Sequence, residues 1–136
     1  MRDSDHLHLQ LPAVPDSIGR ARDAVADRAR ALGLDRRAVD DLRTIVSEAC
    51  TNVVLHAYPD GPGERPLEVE LRSREDGLEL CVRDHGVGIG AVPGSRVGGL
   101  RMGLLIVGAL ASCFQLRSVR DQGTEFRIRF PFAPAP

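Results

Sequence analysis

Lysine is absent from this sequence, in which all 18 basic residues are arginine. Because a Walker-type phosphate loop and Schiff-base catalysis each need a lysine amine, the composition excludes both kinds of site. The chain also lacks any apolar run of about 18 residues and any signal-peptide pattern, so we expect a cytoplasmic protein with no membrane partner. Its formal net charge of −1 gives no electrostatic reason to expect direct binding to nucleic acid.

Cysteine is scarce and lies in apolar surroundings. Cys50, Cys81 and Cys113 occur within hydrophobic segments, and their spacing fits no metal-binding motif. We therefore interpret them as reduced core residues. The length of 136 residues and the 43% apolar share suit a single domain, spanning residues 1–136, around one core.

Hydrophobic periodicity predicts eight elements in the order β-α-α-β-β-α-β-β. Strands are predicted at residues 7–13, 67–73, 78–84, 114–119 and 124–130, and helices at residues 18–32, 36–57 and 102–112. Turns at Asp76-Gly77 and at Asp121-Gln122-Gly123 would join two antiparallel hairpins. These features predict an α+β fold, a two-layer sandwich in which a mixed, mostly antiparallel sheet has helices on one face.

The stretch SEACTNVVLHAY, residues 47–58, places Glu48, Asn52 and His56 at strict four-residue spacing. On an α-helix this spacing forms one ridge, which lies at the border of the apolar arc of the same helix. A carboxylate, an amide and an imidazole are costly at such a border unless polar groups meet them. Two interpretations stay open: a helix edge with ordinary hydrogen bonds, or the wall of a polar site.

Asp84 ends the predicted strand LELCVRD on the side that carries the apolar residues of that strand. A carboxylate on the core side of a strand end needs a specific donor. An adenine amino group would serve, because the carboxylate accepts from N6 and would repel the O6 of guanine. The alternative is an aspartate that closes a tight turn, since Gly86 and Gly88 follow it.

Glycine is concentrated between Gly86 and Gly103, where 7 of 18 residues are glycine, half of those in the chain. Residues 98–104 run straight into the predicted third helix, where free N–H groups and close backbone approach would suit a phosphate. A surface loop is the alternative. Thr124 opens the last strand on its core side and would serve the same ligand as Asp84 if the two strands are neighbours, although threonine also suits strands in general.

The chain contains four segments in this order: SEACTNVVLHAY, DHGVGIG, GGLRMGLLIV and GTEFRI. They resemble the N-box, the two glycine boxes and the final strand of the GHKL ATPase superfamily, over roughly residues 40–130. Within that superfamily, the first segment and the short glycine lid are most similar to the anti-sigma-factor serine/threonine kinases of bacterial partner-switching systems. The resemblance implies a Bergerat-type ATP-binding fold.

The resemblance also implies a binding site for ATP or ADP with Mg²⁺. Glu48 matches the catalytic base, which removes the proton from an acceptor hydroxyl. Asn52 matches the Mg²⁺ ligand, and Asp84 matches the aspartate that binds adenine. Thr124 matches a threonine that supports the base through water. The remaining nucleotide contacts that the resemblance implies are Gly86, Gly88, Gly99, Gly103 and Leu104. His56 would either contact a phosphate or only close the pocket. Arg101 departs from the family pattern, and its side chain would either crowd the triphosphate or donate two hydrogen bonds to it.

The same resemblance implies a homodimeric anti-sigma factor that sequesters a sigma factor and phosphorylates a STAS-domain anti-anti-sigma protein. Arg101 stands where the family commonly has glycine, so a non-catalytic ATP-binding module, or a nucleotide-poor module that binds a partner, is the first alternative. The second alternative is the catalytic domain of a histidine kinase. Such domains usually follow a helix pair that carries the phosphoacceptor histidine, whereas His6 and His8 lie in the region of the first predicted strand.

Overall fold

The computed structural model describes residues 6–58, 65–87, 113–119 and 122–131. Within these ranges lie two α-helices and five strands. In chain order they are β1 (His6–Pro12), α1 (Pro15–Ala31), α2 (Arg36–Asn52), β2 (Pro66–Arg74), β3 (Gly77–Asp84), β4 (Cys113–Val119) and β5 (Gly123–Pro131). The five predicted strands are confirmed, each to within one residue at either end, whereas the helix predicted at residues 102–112 lies outside the described residues.

The five strands form one sheet in the order β1-β2-β3-β5-β4, and every neighbouring pair in this described sheet is antiparallel. The predicted antiparallel pairing is thus confirmed, and the described sheet contains no parallel pair that would make it mixed. β5 lies between β3 and β4, so the end of β3 that carries Asp84 is next to the start of β5 that carries Thr124. The condition under which Thr124 serves the same ligand as Asp84 is therefore met.

One face of the sheet packs against α1 and α2. The cross-strand neighbours Leu71, Leu80 and Ile128 share that face, and each is at most 1% exposed. From α2, Leu42 and Ile45 are fully buried against the same core, and each such side chain contributes roughly 1.5–3 kcal/mol relative to exposure. The predicted α+β sandwich with helices on one face is confirmed. No helix within the described ranges is long and apolar enough to cross a membrane.

The helices α1 and α2 begin at residues whose chemistry favours a helix N-terminus. α1 begins at Pro15 rather than at the predicted Ile18, because proline at the first helical position already has a helical φ and its missing N–H needs no partner there. α2 follows Asp35, whose carboxylate accepts a hydrogen bond from the backbone N–H of Ala38 at 2.8 Å, as the sequence predicts. This cap determines where the helix that carries Glu48 starts.

A π-helical turn, Val53–Ala57, follows α2, so the prediction of one continuous α-helix to residue 57 is wrong for its last five residues. Hydrogen bonds in a π-helix span five residues instead of four, so the backbone turns by a smaller angle per residue than in an α-helix. Glu48 and Asn52 keep α-helical spacing and are half-buried at the border of the buried face. The side chain of His56 lies outside the described residues, so the continuation of the ridge to His56 stays a prediction.

The face of the sheet turned away from the helices carries ion pairs between strands. Glu70 is 8% exposed and accepts hydrogen bonds from Arg83, from His6 at 2.9 Å and from Arg72 at 3.2 Å. Burial by itself would raise the pKa of Glu70, but the hydrogen bonds from Arg83 and His6 outweigh burial and lower its pKa to about 2. Glu70 is therefore a carboxylate whose charge stabilises the folded sheet.

We expect Glu70 to make the free energy of unfolding depend on pH. A carboxyl group whose pKa is lowered by folding contributes stability above its unfolded pKa of 4.5, and this contribution is lost as the pH falls toward about 2. Between neutral pH and about pH 3, urea unfolding should show a smaller loss of stability for Glu70→Gln than for the wild type. Glu75→Gln, a change in the exposed β2–β3 turn, should keep the wild-type pH dependence. An unchanged pH dependence in Glu70→Gln would contradict the prediction.

Candidate functional site

Asp84 ends β3 on the core side of the sheet, opposite Leu67 of β2, and is 6% exposed. Its Oδ1 accepts hydrogen bonds from the backbone N–H groups of Gly86 at 2.9 Å and of Thr124 at 3.2 Å. Burial raises the pKa of Asp84, and this effect outweighs the two backbone donors, which lower it. The hydrogen bond from Gly86 closes the tight turn after Asp84, which the sequence analysis gave as the alternative to a contact with a ligand. Both of these donors bind one carboxylate oxygen, so the turn and a ligand need not compete for the same atom.

Two glycines allow the backbone to close around Asp84. The backbone N–H of Val87 donates to the backbone oxygen of Ala57 at 3.0 Å, and a Cβ at Gly86 would lie 1.9 Å from the same oxygen. Gly123 has a φ of +107°, and a Cβ there would lie 2.1 Å from the backbone oxygen of Asp84. A side chain at either position would force the backbone to move, so these glycines permit the close approach of the π-helical turn, β3 and β5.

Tyr58 was not among the predicted site residues, yet it holds the same corner together. Its hydroxyl donates to the backbone oxygen of Pro66 at 2.6 Å and accepts from the backbone N–H of His85 at 2.9 Å. The guanidinium carbon of Arg65 lies over the ring, 5.8 Å from its centroid. Burial raises the pKa of Tyr58, so the phenol stays protonated and able to donate at neutral pH. The sequence did contain a feature that could have pointed to Tyr58, since it is the single tyrosine of the chain and ends the motif SEACTNVVLHAY.

A cavity of about 240 Å³ opens beside Asp84. Thr124, 7% exposed, lies at the same place because β5 pairs with β3. The cavity is lined by Arg83, Asp84, His85, Gln122, Gly123, Thr124 and Glu125. Its volume is below the roughly 300–1,000 Å³ that is usual for ligand sites. The glycine-rich residues 88–104, which the sequence predicts to complete the site, lie outside the described residues.

Glu48 lines a different cavity, of about 400 Å³, between α1 and α2. The other residues that line it are Arg22, Asp40, Arg43, Thr44 and Ser47. Asn52 lies one helical turn further along α2 and is half-buried like Glu48. The part of the chain that the structure describes therefore places Glu48 and Asp84 at two cavities and does not join these into the one pocket that the resemblance implies.

Several predicted ligand contacts stay predictions because they lie outside the described residues. They are the side chain of His56 and the whole of Gly88, Gly99, Arg101, Gly103 and Leu104. The fit of a nucleotide therefore rests on Asp84, Thr124 and Asn52. A buried carboxylate suits an amino donor, and a half-buried amide oxygen suits a hard ion that keeps phosphate and water as its other ligands. The donor and acceptor chemistry of these three residues suits an adenine nucleotide with Mg²⁺.

The family model of the histidine kinase-like ATPase domain matches residues 11–130. Among curated proteins, the chain is 35% identical over 85 residues to the serine-protein kinase RsbW of Bacillus licheniformis, an alignment that covers 62% of this chain and 53% of that protein. It is 39% identical over 84 residues to the protein of the same name from Bacillus velezensis, an alignment that covers 60% of this chain and 51% of that protein. The chain spans about half the length of the curated relatives it matches.

Solved histidine kinases share the fold. The histidine kinase domain of the blue-light activated kinase EL346 from Erythrobacter litoralis aligns with a TM-score of 0.60 at 20% identity, covering 90% of this chain and 62% of that one. The histidine kinase AdeS of Acinetobacter baumannii aligns with a TM-score of 0.54 at 16% identity, covering 93% of this chain and 68% of that one. Because the family model matches most of the chain and the fold agrees with it, this protein belongs to the histidine kinase-like ATPase domain family.

Proposed function

We propose that this chain is an ATP-dependent protein serine/threonine kinase and anti-sigma factor. It sequesters a sigma factor and phosphorylates a STAS-domain anti-anti-sigma protein, as a cytoplasmic homodimer. The observation that carries the nucleotide part is the buried carboxylate of Asp84, which lies beside Thr124 at the edge of a cavity. Similarity to relatives named serine-protein kinase supports the kinase part.

In this proposal Asp84 selects the base. Its carboxylate accepts a hydrogen bond from the N6 amino group of adenine and repels the O6 of guanine. The backbone N–H groups of Gly86 and Thr124 hold one oxygen of that carboxylate, which limits its rotation. The hydroxyl of Thr124 supports the base through water. Burial of Asp84 strengthens this selection, because an unmatched polar group at a buried site costs more than at an exposed one.

Glu48 is the proposed general base. Mg·ATP, when bound, supplies the phosphoryl group and neutralises the charge that develops on it. The carboxylate of Glu48 takes the proton from the acceptor serine or threonine hydroxyl, and Asn52 ligates Mg²⁺ through its side-chain oxygen. Glu48 is half-buried and lines a cavity, and in this proposal the hydroxyl of the acceptor protein reaches its carboxylate there.

The histidine-kinase alternative receives less support from the described residues. His6 and His8 lie in β1, where they contact Glu70 at 2.9 Å and Glu68 at 3.2 Å across the neighbouring strand. Side chains held in this way in a sheet are not presented on a helix, as phosphoacceptor histidines of that family usually are. The positions of His6 and His8 therefore give no support to the histidine-kinase alternative.

We expect Mg·ATP and Mg·ADP, but not Mg·GTP, to stabilise the protein against unfolding. A ligand at about 100 times its Kd adds roughly 2.7 kcal/mol to the free energy of unfolding. Asp84→Asn should lose most of this gain, because an amide can present a donor to N6. The variant should still fold, since asparagine keeps an oxygen that can accept from Gly86 and removes a buried charge. Thermal shift with each nucleotide measures the effect.

Asp76→Asn is the matched control, because it makes the same change in the exposed β2–β3 turn and should keep full nucleotide stabilisation. Equal stabilisation of Asp84→Asn and wild type by ADP would refute the adenine assignment. The kinase part is tested by transfer of label from γ-labelled ATP to a cognate STAS-domain protein. Nucleotide stabilisation without transfer to that protein would favour the non-catalytic binding module.

A further inference from the structure

Tyr58 joins three segments that meet beside Asp84. Its hydroxyl bridges the backbone oxygen of Pro66, at the start of β2, and the backbone N–H of His85, just beyond the end of β3. Tyr58 itself follows the π-helical turn directly. One phenol oxygen therefore ties the end of the helical segment to both strands of the β2–β3 hairpin.

The N–H of His85 belongs to the peptide bond that leaves Asp84. A hydrogen bond to this N–H holds the plane of that peptide, and the backbone conformation of a residue limits the rotamers that its side chain can adopt. The carboxylate of Asp84 is then aimed by the N–H groups of Gly86 and Thr124. The phenol thus acts on the backbone beneath the carboxylate, and the two amides act on the carboxylate itself.

We infer that Tyr58 is a positioning residue for base recognition. Its hydroxyl holds the backbone that carries Asp84, and so determines how well the site distinguishes an amino group from a carbonyl oxygen at position 6 of a purine. The inference rests on the proposed binding of an adenine nucleotide at Asp84. Tyr58 acts through the peptide between Asp84 and His85 and makes no contact of its own with the nucleotide.

Titration calorimetry of wild type and Tyr58→Phe with ADP and with inosine diphosphate tests the inference. These nucleotides share the ribose and phosphates and differ at purine position 6 and the adjacent nitrogen, so the ratio of their Kd values reports the contact with Asp84. The wild type should bind ADP more tightly than inosine diphosphate. The ratio should fall by about tenfold in Tyr58→Phe, the scale expected when one hydrogen bond is displaced.

Two control variants remove neighbouring contacts and leave the phenol oxygen in place. Thr51→Val deletes a hydroxyl that donates to the backbone oxygen of Ser47 at 2.6 Å within α2, and Arg65→Ala deletes the guanidinium over the Tyr58 ring. Both controls should keep the wild-type Kd ratio. Hydrogen exchange of the His85 amide gives a second readout, which should become faster in Tyr58→Phe and stay unchanged in the controls.

A Tyr58→Phe protein that keeps the wild-type ratio, or binds both nucleotides more weakly by the same factor, would overturn the inference and leave the proposed adenine site standing. A wild-type protein with no preference for ADP would overturn the adenine site and the inference together. If Tyr58→Phe unfolds during titration, the same comparison is made with Gly19→Ala added to every protein. Alanine at this position in α1 meets only an ordinary contact and strengthens the helix.

Discussion

Replacing Glu48 with glutamine is expected to slow phosphotransfer by about 10²- to 10⁴-fold and to leave ADP binding nearly unchanged. Glutamine has almost the same size, so the half-buried position on α2 stays filled, but its amide cannot take a proton from an acceptor hydroxyl. Single-turnover transfer of label from γ-labelled ATP to the STAS-domain protein measures the rate, and an ADP titration measures binding.

Glu75→Gln makes the same substitution in the exposed β2–β3 turn and should transfer phosphate at the wild-type rate. Asn52→Ala, one turn along α2 from Glu48, should instead weaken the Mg²⁺ dependence of nucleotide binding. Wild-type transfer by Glu48→Gln would return Glu48 to the first interpretation of its motif, an ordinary polar residue at a helix edge.

Gly86→Ala is expected to lower the free energy of unfolding by about 3 kcal/mol and to remove stabilisation by nucleotide. The added Cβ would lie 1.9 Å from the carbonyl oxygen and 2.6 Å from the carbonyl carbon of Ala57, backbone atoms that cannot rotate away. Relief requires the two segments to separate, which breaks the hydrogen bond from Val87 to Ala57 and displaces Asp84. Urea unfolding with and without Mg·ADP measures both effects.

Gly19→Ala makes the same substitution inside α1 and is expected to raise the free energy of unfolding instead of lowering it. The nearest atom to its added Cβ is the flexible end of Arg22, at 3.6 Å, which is an ordinary contact. Alanine in place of glycine inside a helix raises stability by roughly 0.5–1 kcal/mol. If Gly86→Ala proved as stable as the wild type and bound ADP normally, the contact between Ala57 and the glycine turn would not support the site.

Local pattern was enough to predict the strands and the start of α2. The segments LEVELRS and LELCVRD alternate and are joined by a two-residue turn, and Asp35 caps its helix, so each feature depends on residues a few positions apart. The contact between Asp84 and Thr124 joins residues 40 positions apart. Periodicity does not determine which strands are neighbours, so the sequence alone predicts this contact only on the condition that β3 and β5 pair.

The π-helical turn and the role of Tyr58 could not be predicted from pattern. Four of the five residues 53–57 are apolar and continue a helical pattern, and that pattern does not separate a π-helix from an α-helix. The contacts at its end are tertiary: Ala57 accepts from Val87, and Tyr58 accepts from His85. The same limitation explains why the predicted α-helix was right through Asn52 and wrong over the five residues that follow it.

Because β5 lies between β3 and β4, the sheet cannot be completed early during synthesis on the ribosome. The nascent chain can form β1, both helices and the β2–β3 hairpin once residue 84 has emerged, but β3 keeps an open edge until Gly123–Pro131 follows. The amide of Thr124 that binds Asp84 arrives with that strand. A chain stalled before residue 123 thus exposes an unpaired strand edge, a feature that favours aggregation, and lacks one of the two backbone amides that bind Asp84.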